Sequence, residues 1–212
     1  MIHHIIIVFA ATSAVLQPTV SLASTTLSFE YQPQVIEDEA ADEVTSISNL
    51  TVSPSTWGKK GTWRWDLTGG YGWDVKTSEN KLTTYGVEFE YFVEDNLSLD
   101  IGLLGIDVDQ RGKNVDGLNF TLQLRWHFAT KETWSLFMEG GAGLLRTSDN
   151  VPAGGSKFNF TPQAGLGASF DIGNNNRWLI GVRWHHISNA NTYDTNPGRD
   201  SIMVWTGLSF PF

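Results

Sequence analysis

The sequence predicts an all-β protein: an eight-stranded antiparallel transmembrane β-barrel, preceded by a signal peptide and a flexible acidic segment. Three observations support this fold class. The 212 residues are rich in aromatic residues (12%) and in glycine (21 residues) but poor in charged residues (17%). Apolar and polar residues alternate with period two in one segment after another from Trp63 onward. Finally, no apolar run is long enough to cross a bilayer as a helix.

The amino terminus has the pattern of an export signal. Residues 5–16 form a short apolar run, IIIVFAATSAVL, and the small residues Ser21 and Ala23 follow it. A secretory signal peptide has this order, with small residues before the cleavage site. We therefore expect residues 1–23 to be a signal peptide that is removed after about Ala23.

Residues 24–56 carry most of the acidity of the chain. The whole chain has a net charge of −9, and this segment holds no Lys or Arg but six acidic residues: Glu30, Glu37, Asp38, Glu39, Asp42 and Glu43. Such a composition cannot build a core, so we predict a disordered acidic segment here and a barrel domain over residues 57–212. The net charge also argues against binding to nucleic acid.

Eight segments follow, each about as long as a strand that crosses a bilayer at a tilt. The clearest alternation runs from Leu118 to Phe128, where every second residue is apolar. The predicted strands are centred on residues 63–73, 85–93, 97–103, 118–128, 134–144, 158–171, 177–190 and 200–212. Pro162 interrupts the sixth. An even number of strands allows a closed bacterial barrel, and a barrel this small has an interior filled by side chains.

The spacing between strands predicts which end of the barrel faces the cell exterior. Asp95-Asn96 and residues 173–176 have the composition of short turns, whereas residues 77–80, 107–117 and 147–156 are expected to form longer loops. Outer-membrane barrels have short periplasmic turns and longer external loops, with both termini in the periplasm. The connection between the last two strands is therefore predicted to lie outside the cell.

The seventh and eighth strands carry a candidate catalytic group. His186 and Ser188 are two residues apart and therefore lie on one face of a strand, and Asp200 follows twelve residues after the serine. A hairpin between them would bring a nucleophile, its base and the group that orients the base together. All three continue the apolar, lipid-facing parity of their strands, so we predict that they point outward at the external rim. The lipid that such a site would meet in a Gram-negative outer leaflet is lipopolysaccharide.

This stretch resembles the PagL family of outer-membrane lipid A 3-O-deacylases. The likeness lies in HISNAN, then NPGRD, then a final strand that ends in Phe212. It implies that the barrel is an esterase that removes the 3-O-linked acyl chain of lipid A in the cell outer membrane. It also implies that Ser188 is the nucleophile, His186 the general base and acid, and Asp200 the orienting group.

The resemblance further implies that Asn189 and Asn196 are candidates for stabilising the oxyanion. The sequence departs from the family pattern at two positions, with Asp200 where Glu is usual and Asn191 where Gly is common. The chain has no Cys, which excludes disulfides and Cys-ligated metals, and no cofactor or metal is expected.

Other interpretations stay open from the residues alone. The main alternative is a non-enzymatic small barrel, structural or adhesin-like, in which Ser188 is dispensable. A palmitoyl-transferring barrel is a third, but its acyl donor would need an apolar lumen, and the inner parity is rich in charges. His185 and His127 have inward parity and are expected in the polar core. Whether two barrels pair as a homodimer is not decided by the sequence.

Overall fold

A computed structural model describes residues 57–76 and 80–212. The strands in these residues are β1 (Trp63–Asp74), β2 (Lys81–Glu94), β3 (Leu97–Gln110), β4 (Lys113–Thr130), β5 (Trp134–Val151), β6 (Ser156–Phe160), β7 (Gln163–Asp171), β8 (Arg177–Ile187) and β9 (Arg199–Pro211). The predicted signal peptide and acidic segment lie outside the described residues.

No helix among the described residues is long and apolar enough to span a bilayer.

The strands form one closed antiparallel barrel. Consecutive strands pair from β1 to β6 and from β7 to β9, and β1 pairs with β9, which closes the ring. Both β6 and β7 pair with β5, so they are two halves of one barrel strand, broken at Thr161-Pro162. Proline cannot donate to the hydrogen-bonded ladder, which explains the break. Counted in this way, the barrel has the eight strands that the sequence predicts, and closure leaves no strand edge unpaired in lipid.

Two of the expected external loops are largely strand. β3 continues to Gln110 and β4 begins at Lys113, so only residues 111–112 remain in the turn. Similarly, β5 continues to Val151 and β6 begins at Ser156. The prediction of loops over 107–117 and 147–156 was therefore wrong. Above the apolar belt the alternation continues with reversed polarity, because polar residues face outward there while Val108 and Val115 pack inside the barrel.

The outer wall is apolar, as the alternation predicts. Its large exposed side chains on β4 are Leu118, Phe120, Leu122, Leu124, Trp126 and Phe128. Their inward neighbours include Asn119, Gln123 and Arg125, which are almost completely buried. This arrangement is the reverse of a water-soluble protein and matches a wall that faces hydrocarbon.

A charged network fills the middle of the lumen. The fully buried guanidinium of Arg125 lies 3.0–3.5 Å from five carboxylates: Asp66, Glu88, Glu90, Asp100 and Glu139. Glu139 also accepts a hydrogen bond of 2.7 Å from Arg183 Nε. A buried charge is tolerated only when it is paired, so this one arginine stabilises side chains from four strands at once.

An apolar cluster closes the external end of the lumen. Its members come from six strands and are at most 1% exposed: Leu82, Ile106, Val108, Val115, Leu145, Val151, Ile187 and Met203. We call this group the apolar plug. Ile187 lies between His186 and Ser188, and Met203 lies on β9. The plug therefore anchors from inside the two strands that carry the candidate catalytic residues.

We predict that Arg125→Ala destabilises the barrel by about 3–5 kcal/mol, because it leaves five buried carboxylates without their shared partner. Urea unfolding of the protein refolded in detergent micelles would measure this change. Arg146→Ala is the matched control, since Arg146 is exposed on the outer wall and should change the unfolding free energy by less than about 0.5 kcal/mol. Equal stability of the two variants would contradict a structural role for the Arg125 network.

Candidate active site

The alternation of β8 decides which side chains reach the outer wall. Arg183 and His185 face the lumen and are at most 4% exposed, whereas Trp184 is exposed and His186 is partly exposed. Ser188 follows the end of β8 with the same parity as His186 and is half-buried. These residues lie where β8 reaches the external end of the barrel. The structure thus places the imidazole and the serine on the outer wall, at the end of the barrel that the turn lengths predict to face the cell exterior.

His186 and Asp200 form a direct pair across the β8–β9 hairpin. The two residues are opposite each other in the register, and His186 Nδ1 lies 2.7 Å from Asp200 Oδ1. Side chains of opposing residues start only about 5 Å apart, so a short carboxylate is long enough. Asp200 therefore reaches the imidazole, although its side chain is one methylene shorter than the glutamate that is usual in the family that the sequence resembles.

This bond defines the protonation of the imidazole ring. A carboxylate can only accept, so in the neutral ring Nδ1 carries the hydrogen and Nε2 has the lone pair. Both side chains are 25% exposed, which places them at an interface with room for a substrate. An imidazole with its Nδ1–H held by a carboxylate and a free Nε2 is the arrangement that a general base requires.

Two further residues hold the carboxylate of Asp200, and the sequence analysis assigned neither to this role. Trp184 Nε1 donates to Asp200 Oδ1 over 3.2 Å, and the indole stacks on the His186 ring with centroids 5.7 Å apart. Lys76 Nζ lies 3.7 Å from Asp200 Oδ2. The shared parity of Trp184 and His186 was a usable signal for the first contact. No local pattern could indicate Lys76, which follows β1.

Ser188 is held through its backbone. Its N–H donates to Phe160 O (3.1 Å), and its carbonyl accepts from Phe160 N (2.7 Å). Within residues 57–76 and 80–212, its hydroxyl makes no side-chain hydrogen bond. Residues i and i+2 of a strand lie about 7 Å apart along the chain and point to the same face, so the imidazole and the hydroxyl are neighbours that side-chain rotation has to bring into contact. Such contacts are often loose before the substrate binds.

The loop after Ser188 is locked by Asn189, which is completely buried. Its Nδ2 donates to Thr195 O (2.7 Å), and its Oδ1 accepts from the backbone N–H of Asn191 (3.0 Å). Asn191 has a φ of 62°, a left-handed conformation that glycine and asparagine adopt most readily. Asparagine therefore replaces the usual glycine without distorting the turn, but its N–H is already engaged.

Asn196 has a different role in the same loop. Its Oδ1 accepts a hydrogen bond of 3.1 Å from the backbone N–H of Asn189, the residue directly after Ser188. Because a backbone N–H can only donate, the oxygen of the amide must face it. The Nδ2 group of Asn196 is then left to donate elsewhere, whereas that of Asn189 already donates to Thr195 O. Of the two asparagines that the sequence suggested, Asn196 is the better placed donor.

The other two histidines of the described residues, His127 and His185, belong to the interior. His185 is 2% exposed and faces the lumen, as its parity predicts. His127 is also buried, and its Nδ1 is hydrogen-bonded to Ser135 Oγ at 2.9 Å. Neither can reach a lipid outside the barrel. Across the described ranges, no three His, Asp or Glu side chains are grouped as a metal site would need.

Comparison with known proteins identifies the family. The sequence profile of the family described as "Lipid A 3-O-deacylase (PagL)" matches residues 52–209, well over half of the chain. The chain belongs to the PagL family. It is therefore an outer-membrane enzyme of the ester hydrolase class. Family membership favours this interpretation over the non-enzymatic and the acyl-transferring alternatives. No curated protein matches the chain by sequence.

Solved structures support the fold. The crystal structure of the outer membrane enzyme PagL superposes with a TM-score of 0.58 at 21% identity, covering 67% of this chain and 97% of that one. Neisserial surface protein A gives 0.54 at 15% identity, with 71% and 96% covered. The N-terminal β-barrel domain of Pseudomonas aeruginosa OprF gives 0.50 at 15% identity, with 71% and 98% covered. At these identities the likeness shows the barrel architecture and nothing finer.

We predict that Trp184→Phe lowers kcat about 5- to 10-fold and leaves KM nearly unchanged. The substitution keeps an aromatic ring against His186 but removes the N–H that holds Asp200, and a typical net hydrogen bond of about 1 kcal/mol corresponds to such a factor. Steady-state hydrolysis of lipid A in detergent would measure both constants. Trp178→Phe is the matched control, because it removes an equivalent indole bond to Thr206 Oγ1 (2.8 Å) at the other end of β8. A similar loss in both variants would contradict a specific role for Trp184.

Proposed function

We propose that the protein hydrolyses the ester-linked acyl chain at position 3 of lipid A by a Ser-His-Asp mechanism on the outer wall of the barrel. Ser188 is the nucleophile, His186 the general base and acid, and Asp200 the orienting group. The observation that supports this proposal is the 2.7 Å contact between His186 Nδ1 and Asp200 Oδ1 on the outward face, two residues from Ser188. Family membership supplies the substrate class.

The first half of the reaction acylates the serine. His186 Nε2 takes the proton of Ser188 as the Oγ attacks the ester carbonyl carbon. Asp200 stabilises the imidazolium that forms, and the Trp184 and Lys76 contacts hold Asp200 in place. The imidazolium then returns its proton to the sugar oxygen as the C–O bond breaks. The products are an acyl-serine and a free 3-hydroxyl group on the sugar.

The second half releases the acyl chain. Water approaches from the exposed side of the rim, where His186 and Asp200 are each 25% exposed. His186 Nε2 takes a proton from this water as its oxygen attacks the acyl-serine carbonyl. The tetrahedral intermediate collapses, the proton goes to Ser188 Oγ, and a free 3-hydroxy fatty acid leaves. The enzyme returns to its starting state without a metal or a cofactor.

Asn196 Nδ2 is the proposed donor to the oxyanion of both tetrahedral intermediates. Its amide oxygen accepts from the backbone N–H of Asn189, the residue next to Ser188, and its Nδ2 group is left to donate. A donor that is fixed before the reaction stabilises the developing charge without reorganisation, and one such donor contributes about 10²–10³ in rate. Asn189 supports this geometry because it holds the loop at Thr195.

The position of the site suits a lipid substrate. His186, Ser188 and Asp200 continue the lipid-facing parity of β8 and β9 at the external end, above the apolar side chains of the outer wall. Polar side chains on the outside of a barrel are costly in hydrocarbon and are tolerated where the headgroup region begins. An ester of lipid A lies at the same depth, between its sugars and its acyl chains.

We predict that Ser188→Ala and His186→Ala each abolish lipid A 3-O-deacylation and leave the barrel folded. Asp200→Asn should lower kcat by about 10²–10⁴, because an amide reverses the favoured imidazole tautomer. Mass spectrometry of lipid A from cells that express each variant would measure the reaction, and heat-modified gel mobility would report folding.

The matched control for the serine variant is Ser148→Ala. Ser148 lies on the outer face of β5 near the same rim, with its hydroxyl on Asp116, and should be dispensable. Full activity of a folded Ser188→Ala barrel would contradict the serine mechanism.

We predict that Asn196→Asp lowers kcat at least about 100-fold with little change in folding. The carboxylate still accepts from Asn189 N but cannot donate to an oxyanion, whose charge it also opposes. Asn191→Gly is the control in the same loop, because glycine adopts the left-handed backbone readily. Single-turnover acylation of purified variants would separate the chemical step from binding. Unchanged acylation by Asn196→Asp would assign the oxyanion donor to another group.

A further inference from the structure

The external mouth of the barrel contains a small cavity beside the catalytic rim. Its volume is ≈ 220 Å³, and it is bordered by the end of β1, the β3–β4 turn, the β5–β6 turn and the start of β9. The side chains that matter here are Asp74, Lys76, Gln110, Arg111 and Arg199. We call this space the mouth cavity. It is large enough for a phosphate group and part of a sugar.

The mouth cavity is positively charged in a chain whose net charge is −9. It has three cationic side chains, Lys76, Arg111 and Arg199, against the single carboxylate of Asp74. Both oxygens of Asp74 are already used, since Oδ1 accepts from Lys76 N (2.8 Å) and Oδ2 from Asn80 Nδ2 (3.1 Å). Its contact with Arg199 Nε is long, at 3.9 Å. The carboxylate therefore lies near the guanidinium without a close hydrogen bond to it, and the cavity lining keeps two more cationic than anionic side chains.

Arg199 is the most unusual of these groups. It is 2% exposed, yet its partners are distant: Ser201 Oγ at 3.4 Å and Asp109 O at 3.5 Å. Its Nη2 has no hydrogen-bond partner among residues 57–76 and 80–212, and neither has the buried Oε1 of Gln110 nearby. A buried guanidinium with an unpaired N–H is costly unless a ligand satisfies it. Arg111, by contrast, is exposed and forms no ion pair with a described residue.

The mouth cavity adjoins the catalytic group directly. Gly198 borders it, and a Cβ at this position would lie 3.4 Å from His186 Cε1. Lys76 also borders it and reaches Asp200 Oδ2 at 3.7 Å. A group bound in the cavity is therefore a few ångströms from the imidazole. That is the distance between neighbouring substituents on one sugar ring.

We propose that the mouth cavity binds a phosphate group of lipid A while the ester lies against Ser188. This inference rests on the proposed function and names its headgroup subsite. The lipid A disaccharide carries phosphates on the same sugars that carry the ester-linked chains, so both sites are reached by one substrate. Guanidinium groups hold phosphate through paired hydrogen bonds, and Arg111 and Arg199 supply two of them. Lys76 adds a point charge between the phosphate and Asp200.

The test compares three substrates in detergent micelles: lipid A with both phosphates, lipid A without the 1-phosphate, and lipid A without the 4′-phosphate. For the wild type, we expect removal of the bound phosphate to raise KM about 5- to 10-fold, with little change in kcat. Removal of the other phosphate should have a small effect. The pair of dephosphorylated substrates thereby shows which phosphate enters the mouth cavity.

Arg111→Gln should raise KM for the fully phosphorylated substrate by a similar factor. It should leave KM unchanged, within about twofold, for the substrate that lacks the bound phosphate. Arg199→Lys provides a second variant that keeps the buried charge but loses the paired hydrogen bonds, and it should show the same pattern. Lys113→Gln is the control. It removes one positive charge at the same rim, where Lys113 pairs with Asp149 outside the cavity.

The outcomes separate this inference from the proposed function. Equal KM values for all three substrates, or an Arg111→Gln effect of the same size on each, would overturn the phosphate subsite and leave the esterase intact. Activity that survives Ser188→Ala would overturn the serine mechanism whatever the phosphate dependence. Equal effects of Arg111→Gln and Lys113→Gln on KM would mean that Arg111 contributes only through general surface charge. That result would also overturn the phosphate subsite.

Discussion

Antiparallel pairing between β8 and β9 produces the contact on which the candidate active site depends. The register runs without a break from Arg177 opposite Ser209 to Ile187 opposite Arg199, and it places His186 opposite Asp200. A shift of one residue would turn one strand's side chains to the other face of the wall and separate the imidazole from its carboxylate. The bilayer strengthens this register, because a slipped strand would expose charged side chains to hydrocarbon.

The interior of the barrel supports the site that lies on its exterior. In the middle of the lumen, the Arg125 network links strands that are distant in sequence. Near the cell surface, the apolar plug holds Ile187 and Met203, which belong to the two strands of the catalytic hairpin. Because Ile187 lies between His186 and Ser188, its burial sets the direction in which both neighbours point. Packing inside the barrel therefore fixes the direction of the candidate catalytic side chains on the outer wall.

Catalysis on the outer wall of a barrel requires that each polar group be satisfied locally. Asp200 accepts from His186 and Trp184 on β8 and lies near Lys76 after β1, so two parts of the chain stabilise its charge. The loop behind the serine is closed by the hydrogen bonds of Asn189. With these contacts, the protein keeps a charged, ordered site where the apolar belt ends.

The sequence by itself determined the strand count, the inward or outward direction of most side chains, and the grouping of His186, Ser188 and Asp200 on one face. These features follow from the period of a strand, which each short segment carries alone. Only the tertiary structure decided where β3, β4 and β5 end, which asparagine keeps a free donor, and that Trp184 and Lys76 hold Asp200. The mouth cavity and the apolar plug could not be predicted from the sequence either. They depend on the register and on loop conformations that bring distant residues together, and no local alternation encodes such contacts.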